Sequence, residues 1–504
     1  MKINLNFLTN KIFLIIFLLG FVLYHLLTLS ISPIVWQDET FFNSITLDFI
    51  NNHTFNCSAD PTIYNGMPHF YYGPVFFTLN GFILSLFGNN PFFARLLGLL
   101  SGFIILLTIV YFYKHKLKGN YFFIILILAL FLDPFFNASM HKGRNDTLAL
   151  MFYFLSFLMI FKNQKGVFKI SNSILSAIFF SLTILTTSRM LIFAIAFVVY
   201  FLILFIKETS HRKKIFVNVF IWGATVAILY SIWIFYAFGG YIEYTEYYLL
   251  LKNLTPTLLF GDLFIPVEEY PLIISFICLM LFVLFKNWKI LTKPDFWFLI
   301  VHLIVFYLLV GDVGPYSILV VPVYYLIFVK FFNHINFVEN KNRIFIFIIS
   351  MLFLFNLSVF LLKSVALSLN IKSRNYSEVN NFIKSNISAE SKVVADEVYY
   401  YAVTNDKCKF QYIITPLLKY NLNEHLNTIE KYRREVFDYE YLVISNRLEK
   451  RKPQLMNVYE KNSKLIKIAE FKTQRSALLN FLNNFHIYDF SSEGYDGRIY
   501  KRIK

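Results

Sequence analysis

Apolar runs recur from residue 12 to residue 363 with short polar turns between them. Each is roughly 20 residues long, enough to cross the hydrocarbon core of a bilayer. Basic residues gather at every second turn: Lys114, Lys116 and Lys118; Lys162, Lys165 and Lys169; Lys207, Arg212, Lys213 and Lys214; Lys286, Lys289 and Lys293; Lys330, Lys341 and Arg343. The alternate turns are poor in Lys and Arg, and this positive-inside pattern sets the orientation. It predicts a polytopic α-helical membrane protein of about eleven spans, near 12–31, 92–113, 120–137, 147–161, 170–187, 189–206, 215–238, 271–285, 295–311, 315–332 and 344–363. The N-terminus then lies in the cytoplasm, and the odd count puts everything after residue 363 outside.

A long outer loop, 32–91, follows the first span. Its apolar stretch 75–87 is too short to span comfortably and reads as a helix lying in the membrane interface. A second outer loop, 239–270, is rich in Tyr. From about residue 371 the composition turns mixed and polar, so the chain divides into a membrane part, 1–365, and a small extracytoplasmic α/β domain, 371–504. Within it, 392–396, 411–415, 441–445 and 464–471 read as strands, and 376–386, 423–436 and 475–484 as helices.

Composition agrees: 57% of the 504 residues are hydrophobic and only 15% are charged, where soluble domains carry roughly a quarter. The net charge of +16 sits in the topology-setting turns, not in a patch with interleaved aromatics, which argues against nucleic acid as a partner. The many Phe, Ile, Lys and Asn suit an A/T-rich coding bias, so aromatic abundance alone carries no site. Lys2 and Lys11 before the first apolar run resemble a signal peptide, but Pro33 follows the small-x-small triplet 30–32 and disfavours cleavage. The first run therefore reads as an uncleaved helix in the cell (plasma or inner) membrane. Cys57, Cys278 and Cys408 have no metal spacing, and Cys57 could meet Cys408 only if two distant outer regions touch.

The topology sorts the rare charges. Asp38 and Glu39 follow the first span; Asp133, Lys142, Arg144 and Asp146 surround the next outer turn; Arg189 and Asp312 mark two further outer turns. Any one of them alone is an ordinary solvated charge, and Arg95 reads as a snorkelling anchor. Together they put both signs at one membrane face, which suits an anion held beside a carboxylate. The chemistry suggested is transfer from a phosphate-linked donor in the outer leaflet. Arg189, with Arg144 or Lys142, would neutralise the phosphate, while a carboxylate takes the proton of an acceptor hydroxyl.

The order of motifs resembles the GT-C superfamily of membrane glycosyltransferases. An apolar span is followed by Trp36-Gln37-Asp38-Glu39-Thr40, by Tyr71-Tyr72-Gly73-Pro74-Val75-Phe76, and by Leu86-Phe87-Gly88 and Ala94-Arg95-Leu96. Arg144-Asn145-Asp146, Ser188-Arg189 and Gly314-Pro315-Tyr316 with Pro322 come later, so the resemblance covers roughly residues 10–330. Its nearest branch is the protein O-mannosyltransferase and aminoarabinose-transferase group with its bacterial relatives. The resemblance implies an inverting transferase that uses a polyprenyl-phosphate sugar at the outer face. Asp38 would be the base, Glu39 its support by hydrogen bonding or cation binding, Asp146 a second acidic partner and Arg189 the phosphate ligand. Tyr71 and Tyr72 would line the substrate groove, or equally serve as interface-belt aromatics. Gly73 stands where the family often has the first of two prolines. No cofactor is implied with certainty. Some relatives bind a divalent metal, for which His69 with Glu39 or Asp146 is the available set, and a loop His is more often simply solvated.

Three rivals remain. A transporter or lipid flippase would show inverted repeats and mid-bilayer charges, and neither is found. A surface-polysaccharide polymerase or ligase would share the donor but not the early acidic loop. A membrane sensor would leave the acidic pair incidental. The acceptor is a lipid, a glycan or a protein, and membrane lipids surround the chain.

Overall fold

The computed structural model describes residues 11–55, 57–59, 72–113, 121–161, 169–246, 270–286, 288–309, 316–334, 343–413, 438–472 and 494–503. Fourteen helices cover the first part: α1 (Lys11–Thr28), α2 (Gln37–Asn52), α3 (Val75–Phe87), α4 (Pro91–Tyr113), α5 (Tyr121–Phe131), α6 (Pro134–Met140), α7 (Asp146–Phe161), α8 (Ile170–Thr186), α9 (Ala194–Lys207), α10 (Arg212–Phe238), α11 (Tyr270–Lys286), α12 (Pro294–Leu309), α13 (Val321–His334) and α14 (Arg343–Asn370). Among the described residues four stretches are long and apolar enough to cross a membrane: Pro91–Tyr111, Ser188–Lys207, Thr209–Phe238 and Ile344–Asn370. Shorter apolar helices accompany them, among them Asp146–Phe161 and Ile170–Thr186. Leu19, Phe220, Ile232 and Phe347 point outward on their helices, as lipid-facing side chains do when the surrounding solvent is itself apolar.

Two departures from the expected pattern bear on function. The stretch 120–137 is not one helix. Pro134 stops α5, and Asp133 caps α6 by accepting from Phe135 N at 3.1 Å and Phe136 N at 3.0 Å, with proline at the tolerated first position. Asp133 also accepts from the Tyr325 hydroxyl at 3.3 Å, so it serves the helix start and not a cluster of charges at the outer face. The outer loop 32–91, in turn, contains α2 as well as the expected α3. Phe42 and Ile45 are buried along one side of α2, a helical spacing hidden by the polar residues around it.

Beyond α14 the chain forms α15 (Tyr376–Asn386), α16 (Tyr400–Asn405), α17 (Asn446–Arg451), α18 (Gln454–Asn462) and a five-stranded sheet of order β2-β1-β3-β5-β4. Its strands are β1 (Lys392–Ala395), β2 (Lys409–Tyr412), β3 (Tyr441–Ser445), β4 (Lys464–Phe471) and β5 (Gly497–Ile503). The first three are mutually parallel, with Val393 opposite Phe410 and Tyr441. All of β3 is buried, as parallel strands covered on both faces are. β5 runs antiparallel between β3 and β4. It was not expected, because its Arg and Lys residues mask a strand whose Ile499 is fully buried. The helices expected at 423–436 and 475–484 lie outside the described residues.

This α/β region sits on the first outer loop. Tyr412 N donates to Ala59 O at 2.8 Å, Asn89 Nδ2 to Thr404 Oγ1 at 2.9 Å and Arg374 Nη1 to Ile31 O at 3.0 Å. The two regions that carry Cys57 and Cys408 therefore touch, yet both cysteines are free thiols. Next to β1, Asp396 accepts a short hydrogen bond from Ser445. Burial, reinforced by the adjacent Asp396 carboxylate, holds the Glu397 carboxyl well above its ordinary range. The folded state thus binds this proton more tightly than the unfolded chain. The stability involved is intact below the ordinary carboxyl range and is lost as pH rises through the raised folded value. Thermal unfolding of the whole protein in detergent, followed from acid to neutral pH, should show this decline. Glu397→Gln, neutral throughout, should flatten it, and parallel curves for wild type and variant would refute the assignment.

Candidate active site

The turn between α6 and α7, from His141 to Asp146, is buried throughout. It is pinned by histidines. His141 Nδ1 lies 2.8 Å from Ser32 O, and His25 Nδ1 lies 2.7 Å from His141 Nε2. A carbonyl only accepts, so His141 carries a proton on Nδ1, and its Nε2 shares the second hydrogen bond with His25 Nδ1. Gly143 keeps the turn close to α2, because a Cβ there would come within 2.9 Å of Glu39 Cγ.

Two arginines divide the acidic pair. Arg95 is fully buried in α4 and is no snorkelling anchor. Its Nε and Nη2 donate to Glu39 at 2.8 and 2.7 Å, and its Nη1 donates to Leu29 O at 2.9 Å and Pro33 O at 2.8 Å. A guanidinium with every side satisfied, two of them by one carboxylate, is stable away from water. Glu39 Oε1 also accepts from the Tyr401 hydroxyl at 2.9 Å. Arg144 takes the other acids: its Nη1 donates to Asp38 Oδ2 at 2.7 Å, and its Nε lies 2.7 Å from Asp146 Oδ2 in a contact poorly aligned for a hydrogen bond. Burial works against the Arg144 charge, but Asp146 and Asp38 outweigh it and hold the guanidinium above its ordinary range.

Exposure separates the three carboxylates. The Asp38 side chain is 38% exposed, Asp146 7% and Glu39 0%. Only Asp38 is open to a substrate.

Around Asp38 cations and aromatic rings alternate. Lys142 Nζ lies 5.4 Å from the Trp36 ring centre and Arg144 Cζ 5.5 Å from it. Arg144 Cζ is also 4.9 Å from the centre of the Tyr316 ring, and Arg189 Cζ is 4.8 Å from the same centre. Cation–π contact at these distances fixes the long side chains and brings Lys142, Arg144 and Arg189, from turns distant in sequence, into one row. Arg189 is half-buried at the start of the turn after α8.

Tyr72 packs edge-on against Phe42 at 4.8 Å and is close enough to act electrostatically on Arg144. Gly73 has φ +70, and a Cβ there would come within 2.1 Å of Leu185 O. Proline, confined to negative φ, could not stand at that position, which accounts for the departure from the family pattern. Tyr71, His69, Asp312, Gly314 and Pro315 lie outside the described residues. Among the described residues no three His, Cys, Asp or Glu side chains come together as a metal-ligand set, and Arg95 occupies both oxygens of Glu39. Glu39 is therefore taken up by Arg95, and His69 of the expected metal set lies outside the described residues.

Trp36 and Tyr316 stood in recognised motifs without an assigned role, and Arg95 had the wrong one. The available signal was a lone charge inside the apolar stretch 92–113, following a loop that carries an acidic pair. Tyr401 had none, since it lies 362 residues from Glu39.

No protein-family model and no curated protein sequence matches the chain. Solved structures do. ArnT from Cupriavidus metallidurans bound to undecaprenyl phosphate aligns at a TM-score of 0.56 and 11% identity, over 97% of each chain. The same protein in the apo state aligns at 0.56 and 12%, over 96% of this chain and 97% of that one. The archaeal oligosaccharyltransferase AglB from Archaeoglobus fulgidus, in complex with an inhibitory peptide and a dolichol-phosphate, aligns at 0.43 and 12%, over 88% of this chain and 71% of that one. The fold is the one ArnT has, along nearly the whole length of both chains.

Proposed function

We propose that the chain is a membrane glycosyltransferase of the GT-C kind, moving a sugar from a polyprenyl-phosphate donor to an acceptor hydroxyl with inversion. The observation that carries this reading is the partly exposed Asp38 carboxylate, bonded to Arg144 in the middle of the row Lys142, Arg144 and Arg189. The shared fold with ArnT, captured with undecaprenyl phosphate, supports the donor class. On this reading the apolar helices cross the plasma or inner membrane, and the site and the α/β region lie on the extracytoplasmic side.

Asp38 accepts the proton of the acceptor hydroxyl as its oxygen bonds to the anomeric carbon. The bond from that carbon to the phosphate oxygen breaks on the opposite face, and its electron pair leaves on the phosphate. Such a leaving group needs charge stabilisation more than a proton, and Arg189 and Lys142 supply it. Arg144 presents Nε and Nη1 to Asp146 and Asp38, so its first task is to orient the base; Asp146 keeps it there. Glu39 supports Asp38 indirectly, by fixing the first turn of α2 through Arg95. Tyr72, close to Arg144, borders the substrate groove.

The test is undecaprenyl phosphate binding to the purified protein. Arg189→Ala should weaken it about tenfold or more, in line with ~1.5–3 kcal/mol for a charge-assisted contact, and Arg189→Lys should recover part of the loss. Unchanged affinity in Arg189→Ala would remove the phosphate assignment.

A further inference from the structure

The first turn of α2 is held from two sides. Asp38 bonds to Arg144 and Glu39 to Arg95, both from the membrane part. The α/β region reaches the same turn. Tyr401, the second residue of α16, has no exposed surface and donates its hydroxyl to Glu39 Oε1. The Thr40 hydroxyl lies 3.4 Å from Glu397 O, at the end of β1. Three consecutive residues of one helical turn thus carry, in order, the candidate base, the buried ion pair and a contact to the turn that follows β1.

We propose that Tyr401 is a positioning residue for the transfer, through which the α/β region completes the active site; this rests on the reading of Asp38 as the base. The first N–H groups of a helix lack intrahelical acceptors, so side-chain anchors decide how firmly its first turn stands. Glu39 Oε1 accepts two hydrogen bonds, from Arg95 Nε and from Tyr401. With the phenol gone, one anchor of the residue adjoining Asp38 is lost and nothing that touches donor phosphate changes. Misplacement of a base by a fraction of an ångström lowers the chemical step, not ground-state binding.

The experiment compares wild type, Tyr401→Phe, Thr404→Val and Asp38→Asn as full-length proteins in lipid vesicles. The donors are undecaprenyl-phosphate-linked mannose, glucose and 4-amino-4-deoxyarabinose, water supplies the acceptor hydroxyl, and the readout is free sugar released as the lipid phosphate leaves. Tyr401→Phe keeps the ring and should lower kcat about tenfold with donor KM within about twofold. Thr404→Val removes the Asn89 contact of the same region and should leave both constants alone. Amide exchange at 38–41 should quicken in Tyr401→Phe only, a readout that needs no activity. Normal kcat and exchange in Tyr401→Phe beside an inactive Asp38→Asn would overturn the proposal and leave the base standing. Equal losses in Thr404→Val and Tyr401→Phe would also overturn it, since docking in general would then be the cause. A wild type no faster than Asp38→Asn on every donor would overturn the transferase reading and the proposal with it.

Discussion

Asp38→Asn is expected to reduce sugar transfer by about 10²–10⁴-fold, the usual worth of a positioned general base, while the protein inserts and folds normally. The amide has the size of the carboxylate and can still accept from Arg144, so the row of cations keeps its shape. What it loses is basicity. Folding is spared because the Asp38 side chain is 38% exposed and the buried Arg144 keeps Asp146 as its counter-charge. Asp146→Asn is the contrasting variant: it meets Arg144 at 7% exposure, out of reach of an acceptor, and should impair turnover less by loosening Arg144. Turnover of Asp38→Asn within a few-fold of wild type would show that another group takes the proton.

How far these residues could be read from the chain depended on how local their evidence is. Apolar runs and their flanks located most of the helices, since α4 and α7 begin and end within a residue or so of the expected stretches. β1 and β3 were legible from short β-branched runs. Sidedness brought Asp38, Lys142, Arg144, Asp146 and Arg189 to one face before any coordinates. Partner choice was not legible. The adjacent acids look equivalent in sequence, yet a helix rotates successive side chains by about 100°, so Asp38 turns to Arg144 and Glu39 to Arg95. Arg95 looked like a lipid-facing anchor because the carboxylate that buries it comes from a different helix. Tyr401 belongs to a contact made only when the α/β region docks, and no periodicity encodes that.

That buried pair gives the largest expected effect on stability. Arg95→Met removes the only guanidinium on Glu39 and leaves a carboxylate with no exposed surface facing the Leu29 and Pro33 carbonyls that Arg95 had satisfied. Breaking a buried pair from one side costs ~3–5 kcal/mol, because the remaining charge is uncompensated. Arg95→Met should therefore fail to accumulate as folded protein, or lose many degrees of thermal stability in detergent. The double variant Arg95→Met with Glu39→Gln carries no stranded charge, and its amide can donate to one of the freed carbonyls and accept from Tyr401. It should regain much of the lost stability without regaining wild-type turnover, since the first turn of α2 would stand on neutral hydrogen bonds alone. A single Arg95→Met variant as stable as wild type would mean that Glu39 finds water or another cation, and the division of labour between the two acids would have to be redrawn.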